Sequence, residues 1–403
     1  MDKKILRFAL LSASLLVGSA AAINANIPAM AQHFDQVPLS MVEMLTTIPS
    51  LFLMISVLTS SLIAKRVGYK QTITIGLGIV MIAGIVPLLI DNFMIILISR
   101  AMLGFGVGLF NSLLVSMINY FYDAKERSSM YGLQSAFEGA GGIAITFIAG
   151  QLLKINWQAP FIAYMIAIPV FFIYFKFVPQ VKTADVIKAN GGDKIKKESH
   201  KSAGFLPVVY YVGLIFMAAM LYMIMGIKIA SLMTGEGYGT ASDASLVIIL
   251  LSLGGISAGL LFGKILKVFN QLTTSIGLII LALAMVILGL SQNLVITFVG
   301  GYLTGFGFKI FMPSLIDKIN NSNIPNTTLA TSLLLVGFNL GVFISPYGSI
   351  VIQSLMRTEA LPALFIANAI GFISLSTITL IITLIKNKKT VNIVQKVLEL
   401  IVL

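Results

Sequence analysis

The stretch Ile98–Asn119, ISRAMLGFGVGLFNSLLVSMIN, returns about half a chain later as Val299–Asn320, VGGYLTGFGFKIFMPSLIDKIN. At a constant offset of 201 residues, Gly104-Phe105-Gly106 falls on Gly305-Phe306-Gly307, Phe110 on Phe311 and Asn119 on Asn320. A Gly-x-Gly alone carries little information. A duplicated apolar segment at half the chain length carries more, because it implies two copies of one helical bundle. Gly104, Gly106, Gly305 and Gly307 are accordingly read as points of close helix packing. The copies diverge where charge appears: Arg100 in the first, matched to Gly301, and Lys309 in the second, matched to Gly108.

Of the 403 residues 58% are hydrophobic and 10% charged, with a mean hydropathy of +0.98. Soluble proteins carry roughly 25% charged residues. No soluble core of this size could hide so much apolar surface, so the surrounding solvent must be lipid. With about 20 apolar residues per crossing, the chain divides into spans at roughly 6–30, 42–63, 71–90, 93–118, 129–153 and 158–178. A second set follows at roughly 205–231, 243–263, 272–290, 293–316, 329–353 and 361–385. The expected fold is an all-α integral membrane protein of twelve transmembrane helices in two pseudo-symmetric six-helix bundles, residues 1–178 and 205–386. A polar linker, 179–204, joins them, and a tail, 387–403, follows.

The formal charge of +12 taken alone suggests nucleic acid, but its distribution does not. Lys3, Lys4, Arg7, Lys65, Arg66, Lys70, Lys125 and Arg127 gather on one side of the spans, with Lys264, Lys267, Lys318 and the linker lysines. Only Lys154 and Arg357 fall on the other, near Asp35, Glu43, Asp91, Glu236, Asp243 and Glu359. This is the positive-inside pattern, and it predicts a multi-pass protein of the cell membrane with both termini cytoplasmic and no nucleic-acid partner. The first residues, MDKKILRFALLSASLLVGSAAA, imitate a signal peptide, yet the apolar run reaches Met30 and reads as an uncleaved first helix. The linker composition is that of a flexible segment. The tail Val391–Leu403 has apolar residues at helical spacing, suited to the inner membrane surface or to a frayed end. There is no cysteine, so thiolate metal sites are excluded. His33 and His200 form no cluster, no phosphate-binding loop occurs, and no nucleophile–base arrangement is legible. Neither an enzyme, a metal nor a cofactor is expected.

Two six-helix halves with a basic central linker and cytoplasmic termini resemble the major facilitator superfamily, over residues 5 to 385. In that family the loop between the second and third spans reads G-x-L-a-D-R-x-G-R-K. Here it is Ser61-Leu62-Ile63-Ala64-Lys65-Arg66-Val67-Gly68-Tyr69-Lys70. Arg66, Gly68 and Lys70 match, whereas Lys65 stands where the family has the carboxylate that helps latch the outward-open state. The resemblance therefore implies a different or weaker latch. Arg100, Gly104 and Gly106 look like the family's R-x-x-x-G-x-G pattern, whose arginine is implicated in the proton step of proton-coupled members. The fifth span lacks the Gly-Pro pair of drug antiporters, reading Glu138-Gly139-Ala140-Gly141-Gly142.

Charges inside a bilayer cost several kcal/mol unless paired or hydrated, so they are functional candidates by default. Four qualify here: Arg100, Glu138, Lys228 and Lys309. Glu138 is read as the only carboxylate deep in any span. It is a candidate proton site or else one member of a structural ion pair. Helix rise places Lys309 at its level and Arg100 roughly 10 Å away along the membrane normal. Arg100 itself cannot release a proton. It would bind an anionic substrate, bias a carboxylate, or serve structure. Lys228 is within snorkelling reach of the outer surface, or else contacts substrate; Lys309, at the level of Glu138, is read as a substrate contact or as the partner of Glu138. On the Glu138 helix, Ala136, Ala140 and Ala144 form a small-residue stripe suited to packing. Asn24, Asn26, Asn111, Gln134, Asn339 and Asn368 could line a cavity or bridge helices.

The sequence thus predicts a monomeric secondary transporter in contact with membrane lipids and working by alternating access on a small-molecule substrate. Proton-coupled efflux of an amphipathic drug or metabolite is the leading expectation, with Glu138 and Arg100 as coupling residues. Import or export of an organic anion is the alternative. A lipid flippase or a non-transporting receptor is a more distant one.

Overall fold

A computed structural model describes residues 3–190, 206–320 and 327–386. Asn320, the second half of the linker and the tail Val391–Leu403 contribute nothing to the side-chain description that follows. Ten helical stretches are long and apolar enough to cross a bilayer. One of them, Ala241–Gly289, holds two spans divided by the 3-10 turn Asn270–Leu272. The helix Ala124–Leu152, more polar than the others, completes twelve.

The spans, numbered in chain order, are Lys3–His33, Leu39–Val67, Tyr69–Leu89, Phe93–Phe121, Ala124–Leu152 and Ala159–Phe177. Spans 7 to 12 are Leu206–Gly235, Ala241–Phe269, Thr273–Gly289, Leu294–Asn320, Thr327–Met356 and Leu361–Lys386. The boundaries follow local chemistry. Asn92 caps span 4 by accepting the Ile95 N–H, and Thr240 with Asp243 forms a capping box at span 8. Between spans 2 and 3, Gly68 has φ +106°, a conformation that L side chains rarely adopt. That turn carries the Lys65–Lys70 segment, with the Lys70 ammonium 5.5 Å from the Phe175 ring of span 6.

Two hydrophobic cores form, one from spans 1–6 and one from spans 7–12, each borrowing a few residues from the other half. The duplicated glycines occupy equivalent contacts in the two halves. A Cβ on Gly104 would lie 2.0 Å from the Pro49 carbonyl oxygen of span 2, and one on Gly305 would lie 1.8 Å from that of Leu251 in span 8. Gly106 and Gly307 likewise lie against Gly76 of span 3 and Gly277 of span 9. Large apolar side chains on the periphery, such as Leu260 and Ile385, are about four-fifths exposed, as a lipid-facing surface requires.

Two expectations are corrected. Ala136, Ala140 and Ala144 are exposed. Span 5 packs instead through Gly141 and Gly142, against Leu15 and Gly18 of span 1. The segment of span 1 opposite them, Ala13–Asn26, is wound as a 3-10 helix, far longer than the usual run of this tighter form. The linker is also not flexible throughout. Thr183–Ala189 is helical, Val186 is fully buried, and Asn190 donates to the Ser116 carbonyl and accepts from Asn119. This helix is docked on span 4.

Candidate functional site: the interface between the halves

Because the spans alternate in direction, one face carries the chain termini and the other the 1–2, 5–6 and 7–8 connections. Contacts between the halves gather toward this second, far face. Thr47 of span 2 donates to the Phe343 carbonyl of span 11 (3.4 Å), and Met44 Sδ lies 3.8 Å from the Tyr347 hydroxyl. Asn24 of span 1 sits against Gly226 of span 7. At the far end of span 5, a Cβ on Gly150 would come within 1.9 Å of Ser245 Oγ in span 8. Toward the termini face, Gly132, Gly213, Gly259 and Gly263 have open space where a Cβ would project. The contacts between the halves that are described thus lie toward the far face.

The closure contains an ion pair that sequence reading missed. Lys228 Nζ of span 7 lies 2.6 Å from Glu43 Oε1 of span 2, with both side chains buried. Only four residues into span 2, Glu43 reads from the sequence as one of the carboxylates of the far connections. That reading is corrected: Glu43 is fully buried, so Glu138 is not the only carboxylate inside a span. Lys228 does not snorkel to a surface. It is one member of a bridge between the halves. The signal available was charge balance: an acidic residue one turn into span 2 and a basic one at comparable depth in span 7.

Glu138 of span 5 and Lys309 of span 10 face each other across the interface near mid-span. The Lys309 ammonium is the charge that acts on the Glu138 carboxylate, and no direct ion pair joins them among the described residues. Glu138 is half-buried and Lys309 exposed. Beside them Gly139 meets Ile256 of span 8. Where the first repeat sets Gly108 against Ser56, the second sets Lys309 against Gly255, its Cγ 3.0 Å from where a Cβ on Gly255 would stand. The glycine that makes room has moved to the neighbouring helix.

Arg100 is placed elsewhere. Fully buried inside the first half, its Nη2 donates to the Tyr164 hydroxyl (2.8 Å), which donates to the Ser19 carbonyl (2.7 Å). Its guanidinium lies 4.8 Å from the Tyr164 ring and 5.7 Å from that of Phe161. Nε and Nη1 have no hydrogen-bond partner, and no carboxylate pairs with it among the described residues. The cation beside Glu138 is Lys309, and Arg100 stands apart in the core of the first half. The sequence pattern identified a buried arginine but not the aromatic pocket contributed by span 6.

The neutral polar residues separate. Asn26 donates to the Trp157 carbonyl (2.7 Å), a bridge within the first half, and Asn339 donates to Leu335 of its own helix. Of the two roles open to these amides, the Asn26 bond is a bridge between elements, whereas that of Asn339 stays within its helix. Asn24 lies at the interface. Gln134 is buried and Asn111 half-buried. Groups of histidine, aspartate and glutamate able to hold a metal are absent among the described residues.

The family model described as Major Facilitator Superfamily matches residues 9–346. No curated relative matches by sequence. Among solved structures, a mutant of the peptide transporter POT superposes with a TM-score of 0.73 at 13% identity, covering 94% of this chain and 93% of that one. The same mutant in complex with alafosfalin gives 0.72 at 15% identity, and in complex with sulfate 0.72 at 14%, with the same coverage. These likenesses concern the fold.

Proposed function

Since this chain belongs to the major facilitator superfamily, and is thus a multi-pass membrane transporter, we propose that it is a proton-coupled secondary transporter of a small solute carrying opposite charges. The observation that carries the proposal is the closure of the far face: a buried ion pair and tight contacts join the two halves there. An alternating-access carrier occupies such a state when open to one side. The basic residues assign the termini face to the cytoplasm, so the state is inward-open. Glu138 and Lys309 then stand on opposite walls of the central path. A zwitterion would satisfy both at once, and an uncharged or purely cationic solute would leave Lys309 unmatched. Peptides, named for the structural neighbours, are one such class. The carboxylate of Glu138 can take a proton when the path opens and release it when Lys309 approaches.

A second reading places the coupling proton on Glu43. It is favoured by the bridge to Lys228, because neutralising Glu43 removes the charge that holds the far face shut.

Proteoliposomes loaded with a pH dye test both. Dipeptides, organic anions and cationic drugs are added with and without an imposed proton gradient. Wild type is expected to move protons with a zwitterionic solute, and Glu138→Gln to abolish coupling while folding normally. The sign of proton movement separates import by symport from efflux by antiport. If Glu138→Gln stays coupled and Glu43→Gln does not, the second reading stands. Coupled movement of cationic drugs alone would return the assignment to drug efflux.

A further inference from the structure

We infer that the far face carries a binding site for an oxyanion, a carboxylate or phosphate group, whose occupation competes with Glu43 for Lys228. The inference rests on the transporter reading above, in which this face is the closed outer gate. A groove of about 800 Å³ opens there beside the contact between spans 2 and 11, within the usual range of small-molecule sites. Lys228 lines it from below. Gln353, Ser354, Arg357, Thr358 and Glu359 line it from the end of span 11 and the following loop.

Three features point to an anion. Lys228 is both a lining residue of the groove and the gate cation, bonded to Glu43 through a single contact of 2.6 Å. An ammonium has three donors, so it retains capacity toward the groove. Arg357 is exposed and held at φ +52°, a left-handed conformation uncommon outside glycine, asparagine and aspartate. Its planar guanidinium suits bidentate recognition of an oxyanion. The lining therefore carries two cations against one carboxylate, Glu359. On the other side of the pair, both carboxylate oxygens of Glu43 are buried and neither has a hydrogen-bond partner beyond the ion-pair contact with Lys228, so Glu43 has no further anchor of its own.

An oxyanion seated between Arg357 and Lys228 gives Lys228 a second counter-charge. Lys228 and Arg357 both belong to the second half, so once Glu43 withdraws in the open state the oxyanion has Lys228 to itself and binds more tightly than in the closed state, where it shares Lys228 with Glu43. Because the ligand binds the two states unequally, it shifts the population toward the open gate. The oxyanion comes either from a solute or from a lipid headgroup, since exposed Ile350 borders the groove on the bilayer side.

The cysteine-free chain makes the test direct. Met44→Cys with Tyr347→Cys, at positions in contact across the gate, reports closure by its oxidative cross-linking rate in nanodiscs of neutral lipid. Sodium benzoate and inorganic phosphate should slow cross-linking at least threefold relative to chloride at equal ionic strength. Arg357→Gln should remove the response. Glu359→Gln, which deletes the carboxylate of the lining, should lower the half-effective concentration at least twofold. A response absent with soluble anions but present, and Arg357-dependent, with anionic lipid identifies the headgroup as the source. Cross-linking indifferent to both, or equally responsive in Arg357→Gln and Glu359→Gln, overturns the inference. Because the readout is gate closure, it stands apart from proton coupling by Glu138.

Discussion

At the scale of single residues, the buried charges differ in how they are compensated, and their expected substitution costs differ accordingly. Glu43 and Lys228 compensate one another. Removing one partner of such a pair leaves a charge alone in a low-dielectric interior, at a typical cost of about 3–5 kcal/mol. Lys228→Met alone should lower the melting temperature in detergent sharply, whereas Lys228→Met combined with Glu43→Gln should recover most of the loss. Equal melting of single and double variants would remove the pair from the account of stability. Arg100 has no such partner among the described residues and rests on one hydrogen bond and two aromatic faces. Tyr164→Phe deletes that bond and is expected to cost about 1.5–3 kcal/mol, the range for hydrogen bonds to charged groups. A thermal unfolding curve unchanged by Tyr164→Phe would show that Arg100 is satisfied in another way.

Among the helices, glycine position decides which faces can meet. Gly104 and Gly305 each lie directly against a carbonyl oxygen of a neighbouring helix, and a backbone atom cannot move aside as a side-chain tip can. Gly104→Val or Gly305→Val should therefore abolish monodisperse elution on size exclusion, well beyond the ordinary overpacking cost of about 1–3 kcal/mol. Gly132→Ala and Gly213→Ala, which project into open space, should elute as wild type and melt no lower, since alanine is the better helix former by about 0.5–1 kcal/mol. The duplicated Gly-x-Gly was legible in the sequence because close packing demands one residue type at a fixed spacing. The packing face of span 5 was not. Small residues lie on two of its faces, and only the position of span 1 selects Gly141 and Gly142 over the alanine stripe.

For the molecule as a whole, the closed far face is the quantity that single substitutions should move. Gly150 permits the approach of span 5 to Ser245 of span 8, so Gly150→Val should bias the population toward the state open on that face. Cysteine introduced at Thr47, buried at the contact between spans 2 and 11, should then label at least severalfold faster with a membrane-impermeant maleimide than in the Gly150 parent. Unchanged labelling would mean that this contact does not limit opening.

Lipid as the solvent, twelve crossings in two related halves, and the asymmetric distribution of basic residues could all be read from the chain alone. Each is a property of composition, period or local spacing, and a bilayer permits few ways to satisfy a backbone. Helix rise sets Lys309 at the level of Glu138, but the partner of Glu43 and the surroundings of Arg100 were decided only by the assembled fold. Glu43 and Lys228 are half a chain apart, as are Glu138 and Lys309, and the ring that receives Arg100 belongs to another helix. Whether a charge is solvated, paired or held against an aromatic face depends on which helices stand beside it. That is set by packing between segments with no local pattern in common.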